Sequence, residues 1–169
     1  MVRVYVPATL AMLQQLVANG SVSAVNGTAF AVTPALRESY AEGDEDELAD
    51  VALREAALAS VRLLAGAAGD AAAEQRPRRA VLVIEAEGAT LRPDLDDAVV
   101  RLSGPVAIGD VVAAYVDNEA AESAVLAAID AVDAADLGDE DAELTVGDAQ
   151  DHDLAWYAPQ ELQFLLDLL

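Results

Sequence analysis

His152 is the chain's only histidine, and it stands between Asp151 and Asp153 just ahead of the short aromatic run "LAWYA", residues 154–158. A carboxylate-flanked imidazole is the arrangement of a general base, because the neighbouring acid can orient the ring and steady its protonated form. The plainer reading is a solvated loop histidine, and it is preferred. Cysteine is absent, which excludes disulfides, thiolate catalysis and Cys-ligated zinc or iron–sulfur sites. The chain has no glycine-rich phosphate loop, G-x-S-x-G elbow or HExxH pair. Two acid-rich stretches, "DEDAE" at 139–143 with Asp136 nearby and "EGDEDE" at 42–47, resemble divalent-cation loops only in their acid count. Neither meets the glycine and glutamate spacing of an EF-hand, so both read as solvated acidic segments. No catalytic residue, metal or cofactor is assigned.

Groups that could bind are more plentiful. "RPRR", Arg76 to Arg79, is a basic island that could grip an acidic partner or the chain's own acids, or flank a strand as a gatekeeper against aggregation. With no aromatic residues interleaved, it does not read as a nucleic-acid site. In "RPDLDD", 92–97, Asp94 and Asp96 could form a carboxylate pair, although Pro-Asp is ordinary turn chemistry. Trp156 and Tyr157 must point to opposite faces if they lie on a strand, so one is expected in the core and the other free for recognition.

Charge narrows the partners. Nine arginines and no lysine face 31 acids, for a net charge of −22. Such a field repels nucleic acid and anionic lipid and favours basic proteins or cations. Its simplest role is to keep an alanine-rich protein in solution. Lysine-free, arginine-based usage suits a GC-rich genome, and an acid-rich halophile would look similar. No run approaches the ~20 apolar residues of a membrane span, and the N-terminus lacks a signal-peptide core. A cytoplasmic protein is expected.

The elements that must position these groups follow from periodicity. "VRVYV" (2–6) and "TAFAVT" (28–33) read as strands, the second buried on both faces, and each is followed by a proline and a helix. Thr9 and Thr33 are placed as N-caps, and "NG" at Asn19 and Gly20 closes the first helix. The longest helix runs through 41–66, with acids in its first turn and an Asp50–Arg54 pair at i,i+4 spacing; Glu55 interrupts its apolar stripe. "AVLVIEAE" (80–87) is the clearest strand, "AVVRLSG" (98–104) reads as its partner, and "VVAAYVD" (111–117) is another. A helix follows from Asp117 or Asn118 to about Ala135. "LAWYA" and a helix opening at Pro159 end the chain. The likeness of "YVPATLAML" (5–13) to "YAPQELQFL" (157–165) reads as convergence, each a strand leaving through a proline into a leucine-striped helix.

At 169 residues, this order predicts one α+β domain spanning 1–169. It would hold a mixed sheet with helices packed on one face, ferredoxin-like in spirit, with a mobile loop at 67–79 and an acidic connector at 136–153 carrying one short element near Leu144. A flavodoxin-like parallel α/β sheet is the alternative; the hairpin-linked look of residues 80–117 argues against it.

The segments "VYVPAT", "FAVTPALRE", "EGDEDEL", "RPDLD", "DAADLGDEDAE" and "WYAPQEL" together resemble a family of small, acidic, uncharacterised actinobacterial proteins, over nearly the whole chain. The resemblance implies no activity, cofactor or site residue.

Three functions remain. The first is a non-catalytic interaction or regulatory protein whose acidic surface meets a basic protein partner, with self-association as an accompaniment. The second is a small-molecule sensor or enzyme whose site lies where strands meet helix N-termini, with Thr9, Thr33, Arg37, Asn118, His152, Trp156, Tyr157 and Glu161 as candidate contacts. The third, a nucleic-acid mimic, is disfavoured because the acids fall mainly in two loops and a helix start.

Overall fold

The computed structural model describes residues 2–40, 42–67 and 76–169. In chain order the elements are β1 (Val2–Ala8), α1 (Leu10–Asn19), β2 (Ser21–Val22), β3 (Thr28–Phe30), α2 (Pro34–Ser39) and α3 (Glu45–Gly66). Then come β4 (Ala80–Ala86), β5 (Thr90–Leu91), β6 (Val99–Arg101), β7 (Val106–Ala107) and β8 (Val111–Val116). The chain finishes with α4 (Glu122–Asp136), α5 (Glu140–Gln150), β9 (Ala155–Tyr157) and α6 (Leu162–Asp167).

Seven strands form one sheet in the order β5-β6-β3-β1-β4-β8-β9, and β2 pairs with β7 apart from it. The α+β class stands, but every strand pairing among the described residues is antiparallel. This replaces both the expected mixed sheet and the parallel flavodoxin-like alternative. Helices also cover both faces rather than one. Val4, Val6, Ala8, Leu82 and Ile84 pack on one face with Leu10, Leu13 and Leu16 of α1 and Leu162 and Leu165 of α6. Tyr5, Val81, Val83 and Ala113 pack on the other with Leu36 of α2 and Leu48, Ala52, Ala56 and Ala57 of α3. Because neighbouring strand residues point to opposite faces, a central strand with apolar residues at nearly every position must be covered twice. A third cluster joins Val61 and Leu64 of α3 to Val125, Ala128 and Val132 of α4 and Val146 and Ala149 of α5.

The threonine caps form as expected: Thr9 Oγ1 accepts from Met12 N–H at 3.3 Å, and Thr33 Oγ1 from Leu36 N–H at 3.1 Å. Pro34 opens α2. Pro7 does not open a helix. It lies within β1 opposite Val81, where β3 pairs with β1 at Tyr5↔Phe30 and not at Pro7, leaving room for a residue without an N–H. The strand at 98–104 is shorter than expected and pairs with β3, not with β4; β4 instead pairs along its length with β8. The "acidic connector" holds an 11-residue helix, α5, capped by Asp139 through Ala142 N–H and loaded with Glu140, Asp141 and Glu143 in its first turn. Its acids are helix-start residues, favoured there by the helix dipole. Of the expected mobile loop, 68–75 lie outside the described residues, while Arg78 and Arg79 at its end are buried.

Helix α3 approaches the sheet through small residues. At its C-terminal half Ser60 is fully buried; its Oγ donates to Ala8 C=O at 2.7 Å and accepts from Ala80 N–H at 3.1 Å, joining the helix to the adjoining ends of β1 and β4. Glu55, on the same helix, is half-buried beside Asp96. Burial first, then the Asp96 charge, push its carboxyl above the ordinary 4.5, with Arg62 acting in the opposite direction. A carboxyl raised in the fold weakens the native state once the unfolded chain would ionise. Glu55→Gln is therefore expected to stabilise the protein near neutral pH, the gain shrinking as pH falls through the raised value and gone below 4.5. Urea unfolding of both proteins across that range measures it.

Candidate functional site

The sheet face under α3 carries a row of aromatics. Tyr5 of β1 pairs with Val83 of β4, and Val83 with Ala113 of β8. Two residues along, Val81 pairs with Tyr115, and Tyr115 with Trp156 of β9. Residues in register share a face, so Tyr5, Tyr115 and Trp156 all point to the α3 side. Tyr5 is 8% exposed, Tyr115 half-buried, and Trp156, on the edge strand, 56% exposed.

Between this row and α3 lie two cavities. The larger, about 440 Å³, has Arg3, Tyr5, Asp46, Ala49, Asp50 and Tyr115 among its walls. The second, about 270 Å³, is lined by Arg54, Arg79, Gln150, His152 and Asp153 among others. Asp50, Leu53 and Tyr115 belong to both. They form one groove with Asp50 and Tyr115 at its waist.

Its charges are unevenly spent. Arg3 is held by Glu85 at 3.0 Å, and Glu45 by Arg37 at 2.8 Å. Asp46 and Asp50 make no ion pair among the described residues, so the expected Asp50–Arg54 pair is not formed. Both residues instead face the groove. The hydroxyls of Tyr5 and Tyr115 make no hydrogen bond among the described residues either. Burial raises the Tyr5 phenol above its usual 10.0; the nearby Tyr115 adds to this, Arg3 opposes it, and Asp46 and Asp50 add smaller contributions. The groove thus holds two phenol oxygens and two carboxylates, all of which accept hydrogen bonds and none of which has a hydrogen-bond or ion-pair partner among the described residues.

One wall of the second cavity is rigid. Arg79 and Asp117 form a buried bidentate pair, 1% and 0% exposed, with Nε–Oδ2 and Nη2–Oδ1 both at 2.8 Å. Asp117 Oδ2 also accepts from Arg79 N–H at 2.8 Å. Arg79 reaches onward, Nη1 to Gln150 Oε1 at 3.0 Å and Nη2 to His152 C=O at 2.8 Å. Gln150 Nε2 in turn donates to Arg54 C=O at 3.2 Å. Six polar contacts therefore tie the adjoining ends of β4 and β8 to the end of α5, to the turn after it and, through Gln150, to α3. The remaining island arginines are also spent internally: Arg78 Nε donates to Glu122 at 2.8 Å, and Arg76 lies 3.6 Å from the same carboxylate. The "RPRR" stretch grips the chain's own acids.

The sequence-nominated residues do not gather in one place. Thr9 follows β1 and Asn118 follows β8, two strands that run in one direction; Thr33 and Glu161 follow β3 and β9, which run in the other. An antiparallel sheet sends alternate strand exits to opposite ends, so helix N-termini cannot converge as they would on a parallel sheet. Thr9 and Thr33 are committed to caps, Thr33 also donating to Asp97 C=O. Arg37 is exposed and paired with Glu45. Asn118 is exposed and its side chain caps nothing, while Glu161 Oε1 accepts from Ala158 N–H. Tyr157 packs at the margin of the α1–α6 core. His152 lines the groove, but its ring makes no ion pair with Asp151 or Asp153 among the described residues, and the acid–base dyad is not assembled. Asp94 is bound to Arg92 by two hydrogen bonds of 2.9 and 2.8 Å rather than paired with Asp96.

Of the nominated residues, Trp156 and His152 lie along the groove side. Tyr5, Tyr115, Asp46 and Asp50 went unnominated. The legible signal for the tyrosines was parity: Tyr115 is the one large polar-tipped residue of β8, and Tyr5 and Arg3 are those of β1, two apart and so on one face.

No curated protein and no solved structure matches the chain. A family model does, over residues 2–166, and its description is a family of unknown function, DUF6912. With a match across almost its full length, the chain belongs to the DUF6912 family.

Proposed function

We propose that this is a non-catalytic interaction protein, cytoplasmic and of actinobacterial type, that takes basic side chains of a protein partner into the groove between α3 and the sheet. The observation that supports this most directly is the pair Asp46 and Asp50, carboxylates on α3 with no ion pair among the described residues, lining one cavity with Tyr5 and Tyr115. Apolar stems of basic side chains lie well on aromatic rings while their charged heads meet carboxylates. The net charge of −22 would steer a basic partner toward the molecule from a distance.

The test is calorimetric titration with a basic peptide of defined sequence. Binding is expected at low ionic strength, weakening roughly tenfold or more between ~50 and ~500 mM salt as the Debye length contracts. The double variant Asp46→Asn/Asp50→Asn is expected to lose most of it. Absence of binding at low salt, or binding indifferent to that double change, would overturn the reading.

A further inference from the structure

We infer that the group recognised at the waist of the groove is a guanidinium, so that the site reads arginine in preference to lysine; this rests on the basic-partner reading above and goes beyond it to the ligand's chemistry. Four acceptors converge on the larger cavity: the Tyr5 and Tyr115 hydroxyls and the Asp46 and Asp50 carboxylates. Tyr5 is the decisive one. It is more than nine-tenths buried, it lines the cavity, and its hydroxyl has no partner among the described residues. Its hydroxyl oxygen stays open to the cavity and takes no protein donor among the described residues, so a ligand that donates there completes its hydrogen bonding.

A guanidinium presents five N–H groups in a plane, enough to serve two phenols and a bidentate carboxylate together, and its flat faces stack on aromatic rings. An ammonium offers three donors from one point and is more strongly hydrated. The protein already uses the same chemistry on the groove's rim, where Glu45 holds Arg37 at 2.8 Å. Arginine meets carboxylates elsewhere in the fold, as with Arg3–Glu85 and Arg79–Asp117. Asp50 and Asp46 are carboxylates of the same kind left open.

The experiment compares two peptides identical but for arginine in place of lysine, with N-acetylarginine amide as the smallest probe, by calorimetry and by NMR of the tyrosine rings. The arginine peptide is expected to bind roughly tenfold tighter, a step of one decade in Kd. N-acetylarginine amide is expected to shift the ring signals of Tyr5 and Tyr115. The variants Tyr5→Phe and Tyr115→Leu should bring the two peptides to within about twofold of each other. Equal affinity of the two peptides for the native protein removes the guanidinium assignment and leaves the basic-partner reading standing. Failure of both to bind at low salt removes both. Should the amide bind as tightly as the peptide, the guanidinium assignment stands and its source is a small molecule.

Discussion

Asp117→Ala is expected to lower the unfolding free energy by ~3–5 kcal/mol, the range for removing one partner of a buried ion pair. For a chain of this size that is a fall in Tm of roughly 6–20 °C. The cost comes less from the lost attraction than from what remains. Arg79 is 1% exposed, and without Asp117 its charge is left buried with only the neutral acceptors of Gln150 and His152. Its backbone N–H also loses its acceptor. The double variant Arg79→Met/Asp117→Leu removes both charges and should recover part of the loss. It should not recover all of it, because Arg79 N–H, Gln150 Oε1 and His152 C=O would each lose a partner. Urea melts of Arg79→Met, Asp117→Leu and the double variant give the coupling directly. If Asp117→Ala melts within a degree or two of the native protein, the pair is not the strut described here. Loss of the strut also frees the turn carrying His152 and Asp153, so the second cavity should lose definition while the Tyr5 end does not.

The second large effect separates a ring from its hydroxyl. Tyr5→Ala removes an aromatic side chain packed with the cluster that includes Phe30, Leu48, Ala52 and Val83, and should cost ~3–5 kcal/mol. Tyr5→Phe keeps that packing and gives up a hydroxyl with no hydrogen bond among the described residues, so near neutral pH it should change stability by no more than ~0.5 kcal/mol. The two proteins should part company in alkali. Burial raises the Tyr5 phenol above 10.0, so its neutral form is the one the fold favours. That contribution is complete below 10.0 and is lost as pH climbs through the raised value. The native protein should therefore destabilise above pH 10 in a way that Tyr5→Phe does not. Denaturant midpoints measured at neutral and alkaline pH give both comparisons. A large loss in Tyr5→Phe at neutral pH would mean that the hydroxyl has a partner within the protein, and the groove would lose its open acceptor.

These expectations show where sequence reasoning reached and where it stopped. The caps at Thr9 and Thr33, the αL Gly20 ending α1 and the long α3 were legible because each depends on a few consecutive residues. The α+β class was legible because strand and helix periods alternate along the chain. Pairing was not. "AVVRLSG" follows "AVLVIEAE" in sequence, and adjacency suggested a hairpin, yet β6 crosses to β3 while β8 takes the place beside β4. Strand partners are chosen by the total apolar surface that a whole sheet can cover, which no local pattern encodes. Helix α5 was legible only as one short element near Leu144, because acids load its first turn and Gly147 stands inside it; it buries Ala142, Val146 and Ala149, the last two in the cluster with α3 and α4.

By itself, then, the sequence determined an acidic α+β molecule without cysteine chemistry and rich in capped helices. Tertiary structure alone decided that Arg79 meets Asp117, that Tyr5 and Tyr115 share a face with Trp156, and that Asp46 and Asp50 stand opposite them. The reason is parity and register. Side chains alternate across a strand, so which face a tyrosine joins, and which acid confronts it, is settled only when the strands pair and a helix is laid across them.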